Sequence, residues 1–303
     1  MATTSAPLTT TPPVVPTPAT AAARAKKGLT SPWASLAALV IAVLWTLPTF
    51  GLLVSSIRPE RAIKTTGWWT FFSNPTVTME NYREALVGEG GLGEFMVNSF
   101  VITIPSVIIP LCLASLAAYA FACIKFPGRN VLFTAVFALQ IVPIQVTLIP
   151  LLTLYVDWGI AGTFWTIWLS HSIFALPLAI FLLHNFMNEI PATLLEAARV
   201  DGAGHVQIFF RVLLPLLRPA LAAFGIFQFL WVWNDLLVAL TFAGGGTAVA
   251  PITVALANLS GTRGTAWHLL SAGAFISIIV PVTVFLLLQR YFVRGLLAGS
   301  VKG

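Results

Sequence analysis

Charge is scarce in this sequence. Asp, Glu, Lys and Arg together make up 9% of its 303 residues, whereas roughly 25% is usual for a soluble protein. So few charges cannot cover a water-facing surface, and hydrophobic residues account for 58% of the chain. This composition excludes a soluble enzyme, a disordered protein and a disulfide-rich secreted protein. It predicts a protein that crosses the membrane several times.

Residues for covalent or metal chemistry are also scarce. The two cysteines, Cys112 and Cys123, are 11 residues apart on one predicted helix. A helical rise over that length is about 16 Å, too far for a disulfide. The sequence has no G-x-x-x-x-G-K-S/T phosphate loop, no metal-ligand spacing and no convergent nucleophile, acid and base. We therefore expect no catalytic residue, no metal and no cofactor on this chain.

Six long stretches of the chain favour membrane-spanning helices. The charge-free stretches contain 26 to 31 residues each, and a spanning helix needs about 20 apolar residues. Helices are expected rather than strands, because lipid offers no partner for unpaired backbone groups. In the fifth stretch Gly244 to Gly246 interrupt the run, so an earlier span that includes Asp235 fits better. The sequence predicts an all-α polytopic membrane protein with six transmembrane helices, near residues 33–56, 97–122, 130–154, 162–186, 219–242 and 269–292.

The distribution of Lys and Arg predicts the orientation. With the N-terminus in the cytoplasm, 11 of the 16 Lys and Arg residues lie inside, as the positive-inside rule requires. Both termini are therefore expected in the cytoplasm. The positive residues are dispersed, so no nucleic-acid partner is expected. Residues 1–30, rich in Thr, Pro and Ala, predict a disordered cytoplasmic tail before a six-helix domain over residues 31–303.

The longest predicted external loop covers residues 58–95. Its 38 residues are too few for a catalytic or solute-capturing domain, but they are enough for a small helical cap that could touch a partner. Trp68 and Trp69 leave a second interpretation open, which is an interfacial helix anchored at the membrane surface.

A second extramembrane segment, residues 187–218, connects the predicted fourth and fifth spans on the cytoplasmic side. Pro191 suits the first turn of a helix, and Gly202 can adopt the left-handed conformation that ends one. The segment offers negative charge at Glu196 and Asp201 beside two small alanines, so the backbone of another protein could approach closely. These residues predict a docking surface for a basic partner, with an amphipathic connector as the alternative.

The spacing in this segment resembles the EAA signature of binding-protein-dependent ABC importer permeases. It reads Glu196-Ala197-Ala198, three residues, Gly202, nine residues and Val212-x-Leu214-Pro215, with Val212 where the family prefers Ile. Further matches to the maltose-transporter type of sugar permease extend along most of residues 33–303. They are Asn81-Tyr82, Asn98-Ser99, Pro143 with Pro150, Trp233-Asn234-Asp235 and the terminal Gly299-Ser300-Val301-Lys302-Gly303.

The resemblance implies a type I ABC importer fold and a permease subunit without catalysis of its own. ATP and Mg would bind a separate ATPase dimer, and a second permease would complete the pore. An extracytoplasmic solute-binding protein would deliver a carbohydrate at the bacterial cytoplasmic membrane. Glu196 would pair with a basic groove residue of the ATPase, Ala198 would permit close packing and Gly202 would supply the bend. The implied ATPase-coupling residues are Glu196, Ala197, Ala198, Asp201, Gly202, Leu214 and Pro215.

A mixed polar and aromatic face on the predicted fifth helix indicates a substrate path. Four side chains spaced by 4, 3 and 4 residues would share this face. They are Phe224, Gln228, Trp231 and Asp235. An aromatic ring beside hydrogen-bonding groups suits a sugar, although the same groups could instead bond neighbouring helices. The complete set of substrate-path residues is Gln140, Gln145, Gln228, Trp231, Asn234 and Asp235.

Two alternative functions stay open. A secondary, ion-coupled transporter would use intramembrane carboxylates or interrupted helices in repeated halves, and here only Asp235 qualifies and no repeat is visible. A non-carbohydrate ABC importer permease would share the EAA spacing and differ in its solute. His171 is interpreted as a satisfied interhelical histidine rather than as a proton carrier or metal ligand.

Overall fold

A computed structural model gives the structure of this chain. It describes residues 32–88, 91–243, 247–261 and 265–298, with side chains as far as residue 289. The predicted tail at residues 1–30 and the terminal Gly-Ser-Val-Lys-Gly match lie outside the described residues. The chain divides into two compact units, residues 1–52 and residues 53–303. The described part of the first unit is helical, and every site discussed below belongs to the second unit.

All regular elements in the described part of the chain are helical, as the sequence predicts. Short 3₁₀ turns cover Trp68–Phe72 and Leu139–Ile141. The helices in chain order are α1 (Pro32–Ser56), α2 (Glu60–Thr65), α3 (Glu80–Val87), α4 (Leu92–Cys123), α5 (Arg129–Ala138), α6 (Ile144–Asp157), α7 (Phe164–Glu189), α8 (Ala192–Val200), α9 (His205–Leu216), α10 (Arg218–Trp233), α11 (Leu237–Phe242), α12 (Ile252–Ser260) and α13 (Trp267–Ala298).

Six spans result when two bent helix pairs are counted as one span each. Helices α1, α4, α7 and α13 are each long and apolar enough to cross a membrane, and the pairs α5–α6 and α9–α10 are the other two. In chain order, the first to sixth spans are α1, α4, the pair α5–α6, α7, the pair α9–α10 and α13. Helix α4 begins at Leu92, so the last residues of the predicted loop 58–95 belong to the second span.

The third span is not the single helix predicted over residues 130–154. Its two halves, α5 and α6, meet at an angle of 102°. Pro143 causes the break, because its ring disfavours helical backbone in the preceding residue and it has no N–H to donate. Val142 accordingly has an extended backbone, with ψ of 120°. The break separates Gln140 from Gln145, which the sequence places on one helix.

The fifth span also differs from the single helix predicted over residues 219–242. Helices α9 and α10 meet at 71°. A wider π-helical turn over Ile208–Leu213 precedes Pro215, where a regular helix would bring the proline ring against the carbonyl four residues earlier. Helix α10 ends at Trp233, and α11 begins only at Leu237. Asp235 therefore lies in a break between helices.

The second and fourth spans pack along one another, and α10 packs against both and against α13. One end of this bundle contains the end of α4, the start of α5, the end of α7, and α8 and α9. We call it the connector end, and Phe121 and Phe209 belong to its core. The opposite end contains α2, α3 and α12. We call it the cap end, and Leu92 and Ile252 belong to its core.

Arg58 organises the helical cap that follows the first span. Its side chain is buried, at 3% exposure. The guanidinium donates to the carbonyl oxygen of Gly67 and to Thr66 Oγ1, both at 2.8 Å, and to Thr70 Oγ1 at 3.0 Å. A buried charge needs such partners, because desolvation disfavours an unpaired one. This arginine thus fixes the start of α2 relative to the 3₁₀ turn at Trp68.

Candidate functional site

Helix α8, the connector helix, is followed by a sharp turn at Gly202. Pro191 immediately precedes the helix with an extended ψ of 129°. Gly202 has φ of +81°, a conformation that favours glycine, and the Ala203 N–H donates to the Ala198 carbonyl at 2.9 Å. No atom lies within 4 Å of the position of a Cβ at Gly202. The backbone conformation, and not lack of space, therefore favours glycine here.

The connector helix presents one face to solvent and the other to its own chain. Glu196 and Ala197 are exposed, as is Asp201 in the following turn. Leu195 and Ala198 pack against the core of the connector end. Ala198 is half-buried and packs within this chain, whereas Ala197 is the small residue of the signature that faces outward.

Leu214 and Pro215 lie in α9, the helix that leads the chain from the connector helix back to α10. Both are half-buried, and Leu214 packs against the core of the connector end. These two residues of the EAA signature thus hold α9 against the bundle, whereas Glu196 and Ala197 form the solvent-exposed surface of α8.

Two hydrogen bonds tie the connector segment to the second span, and the sequence predicted neither. Tyr119 Oη lies 2.7 Å from His205 Nδ1. Arg199 Nη2 donates to the carbonyl oxygen of Cys123 at 3.5 Å. The partners are 86 and 76 residues apart in the chain, so no local pattern could have paired them. Displacement of the connector helix would act on the end of α4 through these bonds.

A cavity lies between the third, fourth and fifth spans, with a volume of about 220 Å³. Its lining includes Gln140, Gln228 and Trp231 from the predicted substrate path, together with Phe224 and Phe227. Gln140 also lines a neighbouring cavity of about 450 Å³ beside the bend of the third span. The lining therefore combines side-chain amides with aromatic rings, as a sugar site requires.

Gln228 also has a structural role. It is 1% exposed, and its Nε2 donates to the carbonyl oxygen of Ser106 in the second span at 3.2 Å. Gln228 therefore lines the cavity and also forms an interhelical hydrogen bond, so both interpretations left open for it apply. Gln145 is exposed and is not among the residues that line either cavity.

Asp235 lies beyond the end of α10 and caps the helix that follows. Its carboxylate accepts the backbone N–H of Val238 at 3.3 Å and that of Ala239 at 3.0 Å, so it closes the first turn of α11. The sequence predicted Asp235 within the fifth helix, but α10 ends two residues earlier and Asp235 lies in the break that follows. The side-chain amide of Asn234 also bonds to its own helix, because its Nδ2 donates to the Leu230 carbonyl oxygen at 2.7 Å.

His171 lies beside Asp235 in the bundle and is 1% exposed. Its Nε2 is 3.7 Å from Asp235 Oδ2, and its ring meets that of Trp231 edge-on, with 5.2 Å between centroids. Its Nδ1 has no hydrogen-bond partner among the described residues. The histidine is therefore interhelical, as predicted, but its hydrogen bonding is incomplete. No group of three or more His, Cys, Asp and Glu side chains suited to a metal occurs in the part of the chain that the structure describes.

Other residues that carry the family resemblance form bonds at the cap end. The Asn81 amide donates to the Arg58 carbonyl at 2.7 Å. The Asn98 amide lies 3.1 to 3.3 Å from carbonyl oxygens in residues 247–250, and Ser99 Oγ accepts the first N–H of α12 at 2.8 Å. These residues position the cap and the loop before α12.

Three features together indicate a multi-pass membrane permease. The spans are apolar, an exposed connector helix is bonded to the second span, and a cavity lies between three spans. The chain matches the family of binding-protein-dependent transport system inner membrane components over residues 110–297. It belongs to this family and is a permease subunit of an ABC importer. The family assignment sets aside the ion-coupled transporter as an alternative.

Characterised proteins resemble the chain along most of its length. It is 53% identical to the osmoprotective compounds uptake permease protein GgtD of Synechocystis sp., covering 88% of this chain and 91% of that one. It is 39% identical to the alpha-glucoside transport system permease protein AglG of Rhizobium meliloti, covering 89% and 97%. A crystal structure of a bacterial ABC transporter that imports alginate shares the fold, with a TM-score of 0.72, 22% identity and coverage of 85% and 94%.

Proposed function

We propose that this permease imports a carbohydrate and is driven by a separate ATPase that docks on the connector helix. The exposed Glu196–Ala197 edge of α8 carries the proposal. It is the outward part of the EAA signature, and the segment behind it is bonded to the second span through Tyr119 and Cys123. Such a surface receives force from outside and transmits it into the bundle.

The proposed assembly places each partner at one end of the bundle. An ATPase dimer that binds ATP and Mg docks at the connector end, in the cytoplasm together with both termini. A solute-binding protein docks at the cap end, and a second permease completes the pore. Closure of the ATPase pair moves the connector helix, and the helix moves the second span. The bundle then alternates between its inward-open and outward-open forms.

A sugar is the proposed solute because of two observations. The alpha-glucoside permease is 39% identical to this chain. The cavity lined by Gln140, Gln228 and Trp231 offers amides for sugar hydroxyls and a ring for the apolar face of the sugar. The 53% identity to a permease for osmoprotective compounds favours one second candidate, an osmoprotective compound that is not a saccharide of the usual transported kind.

The docking proposal is tested with the double variant Glu196→Arg and Gly202→Asp. We expect the ATPase subunits to be lost on purification and uptake to fall at least about tenfold. Glu196→Arg reverses the charge of the exposed edge, and Gly202→Asp adds a charged side chain where the backbone has φ of +81°. Gly204→Ala is the matched control, since Gly204 is as open as Gly202 but has φ of −75°. Normal uptake and intact co-purification in the double variant would refute docking at α8.

The solute is tested separately by uptake of labelled solutes into cells or proteoliposomes that contain the assembled transporter. A panel of mono- and disaccharides is compared with glycine betaine as a non-carbohydrate osmoprotectant. Saturable, ATP-dependent uptake of a saccharide supports the proposal. Uptake of betaine alone would replace the sugar by the second candidate and leave the docking proposal intact.

A further inference from the structure

Two adjoining cavities at the connector end are lined by cationic and amide side chains. One has a volume of about 330 Å³, and its polar lining includes Arg129, Asn130, His184 and Asn188. The other has a volume of about 400 Å³, and its lining includes Lys125, Arg129 and Asn130. Arg129 and Asn130 belong to both, so the cavities flank the first turn of α5. Neither cavity includes a substrate-path or ATPase-coupling residue.

No carboxylate is among the residues that line either cavity. None of the ion pairs among the described residues includes Lys125 or Arg129. Arg129 is half-buried, and its hydrogen bonds are long, 3.4 Å to Asn130 Oδ1 and 3.5 Å to the Ile124 carbonyl oxygen. A guanidinium has five N–H donors. Arg129 therefore retains donors for an acceptor from outside the chain.

The walls of the smaller cavity are apolar. They include Phe121, Ala122 and Phe133, and the rings of Phe121 and Phe133 are 5.5 Å apart. The Phe133 ring also packs on the His184 ring, with 4.2 Å between centroids. A small hydrophilic anion gains nothing from such walls. A molecule with an anionic group and an attached apolar part matches both features.

The ends of the neighbouring spans show at which depth in the membrane the cavities lie. The second span ends at Cys123, the third begins at Arg129 and the fourth ends at Glu189. These three ends must lie at the same membrane face, because each span reverses the direction of the previous one. The cavities are therefore at the level of the lipid headgroups, where basic pockets between spans bind anionic lipids.

We propose that these cavities bind the headgroup of an anionic phospholipid. Lys125 and Arg129 neutralise the phosphate, and the amides of Asn130 and Asn188 donate to headgroup oxygens. Phe121 and Phe133 contact the apolar part of the same lipid next to the glycerol. The proposal needs only the membrane-spanning fold, so it is independent of the solute and of ATPase docking.

The test uses the full chain with its co-purifying subunits, reconstituted into nanodiscs of phosphatidylglycerol or of phosphatidylcholine. After transfer to detergent, native mass spectrometry counts the retained lipids. We expect phosphatidylglycerol to be retained by the wild type and phosphatidylcholine to be lost. An excess of inorganic phosphate should not displace the lipid. Equal retention of both lipids, or displacement by phosphate, would overturn the proposal without any variant.

The variant Lys125→Gln with Arg129→Gln should lower phosphatidylglycerol retention by about tenfold or more, since it removes both cationic partners. Arg218→Gln is the matched control. Arg218 is exposed at the start of α10 at the same membrane face, but it lines neither cavity. Equal retention by the double variant and by Arg218→Gln would contradict the assignment. Lys125→Arg with Arg129→Lys keeps both charges, and retention should persist in it even if the neutral variant fails to assemble.

Discussion

The two ends of the bundle use polar side chains in different ways. At the cap end, Arg58 and Asn98 are directed at backbone carbonyl groups of their own chain. At the connector end, Glu196 is exposed, and Lys125 and Arg129 form no ion pair among the described residues. These two cap-end side chains thus bond within their own chain. The connector end leaves charge for other molecules to bind.

This difference predicts that cap-end substitutions act on stability and connector-end substitutions act on coupling. Arg58→Met should have the largest effect on stability. It removes three charge-assisted hydrogen bonds from a buried site, and we expect the free energy of unfolding to fall by about 3 kcal/mol. Thermal unfolding of the purified protein measures it. Arg61→Met is the control, because Arg61 is exposed. Equal midpoints for the two variants would contradict this account of the cap.

Asp235→Ala should lower stability by about 1 to 2 kcal/mol, because α11 loses its cap. Asp235→Asn should recover most of the loss, since asparagine also caps helices. Uptake by Asp235→Asn should show an unchanged KM, whereas Trp231→Ala should raise KM because Trp231 lines the cavity. A raised KM in Asp235→Asn would return Asp235 to the substrate path.

Tyr119→Phe should lower stability by about 1 kcal/mol, the usual contribution of one hydrogen bond. Its specific effect should be fewer solute molecules imported per ATP hydrolysed, because the bond to His205 is lost. Tyr155→Phe is a matched control. That hydroxyl is also buried and lies 3.1 Å from Ser170 Oγ, away from the connector end. If both variants import the same amount per ATP, the Tyr119 bond does not transmit motion.

The smallest effect concerns Glu60 at the cap end. The bond from Lys64 and, to a lesser degree, the nearby His268 hold the pKa of Glu60 below its ordinary value of 4.5. A lowered folded-state pKa stabilises the fold above the unfolded value, and this contribution is lost as pH falls through the folded-state pKa. The difference in unfolding midpoint between wild type and Glu60→Gln should therefore shrink as the pH falls below 4.5 and vanish once the pH is below the folded-state pKa of Glu60. A difference that grows on acidification would contradict the ion pair.

Local composition was sufficient to predict a bundle of apolar helices with up to six candidate spans, and the turn at Gly202. The effect of each proline was not predictable from sequence. Pro150, Pro177 and Pro281 lie inside helices that continue past them, whereas Pro143 ends a helix. All four lack an N–H, so the neighbouring packing decides whether the chain bends. The bend in turn determines that Gln140 lines a cavity and Gln145 does not.

Helix ends and helix orientation account for the other differences. A carboxylate in an apolar run indicates function, and Asp235 instead caps a helix that begins two residues later. The packing of the half-buried Ala198 against its own core depends on how α8 is oriented, which the EAA spacing does not specify. The sequence was a good guide to the elements and a poor guide to which face of each element meets its own chain.

Cross-linking from the connector helix tests the central claim most directly. In a variant with Cys112 and Cys123 replaced by alanine, single cysteines are placed at Ala197, which is exposed, and at Ala198, which faces the core. We predict that the cysteine at position 197 cross-links to a nucleotide-hydrolysing subunit in intact membranes, and that the cysteine at position 198 does not. The account would be contradicted if the cysteine at position 197 cross-linked to no ATPase subunit and reacted only with reagents added outside the cell.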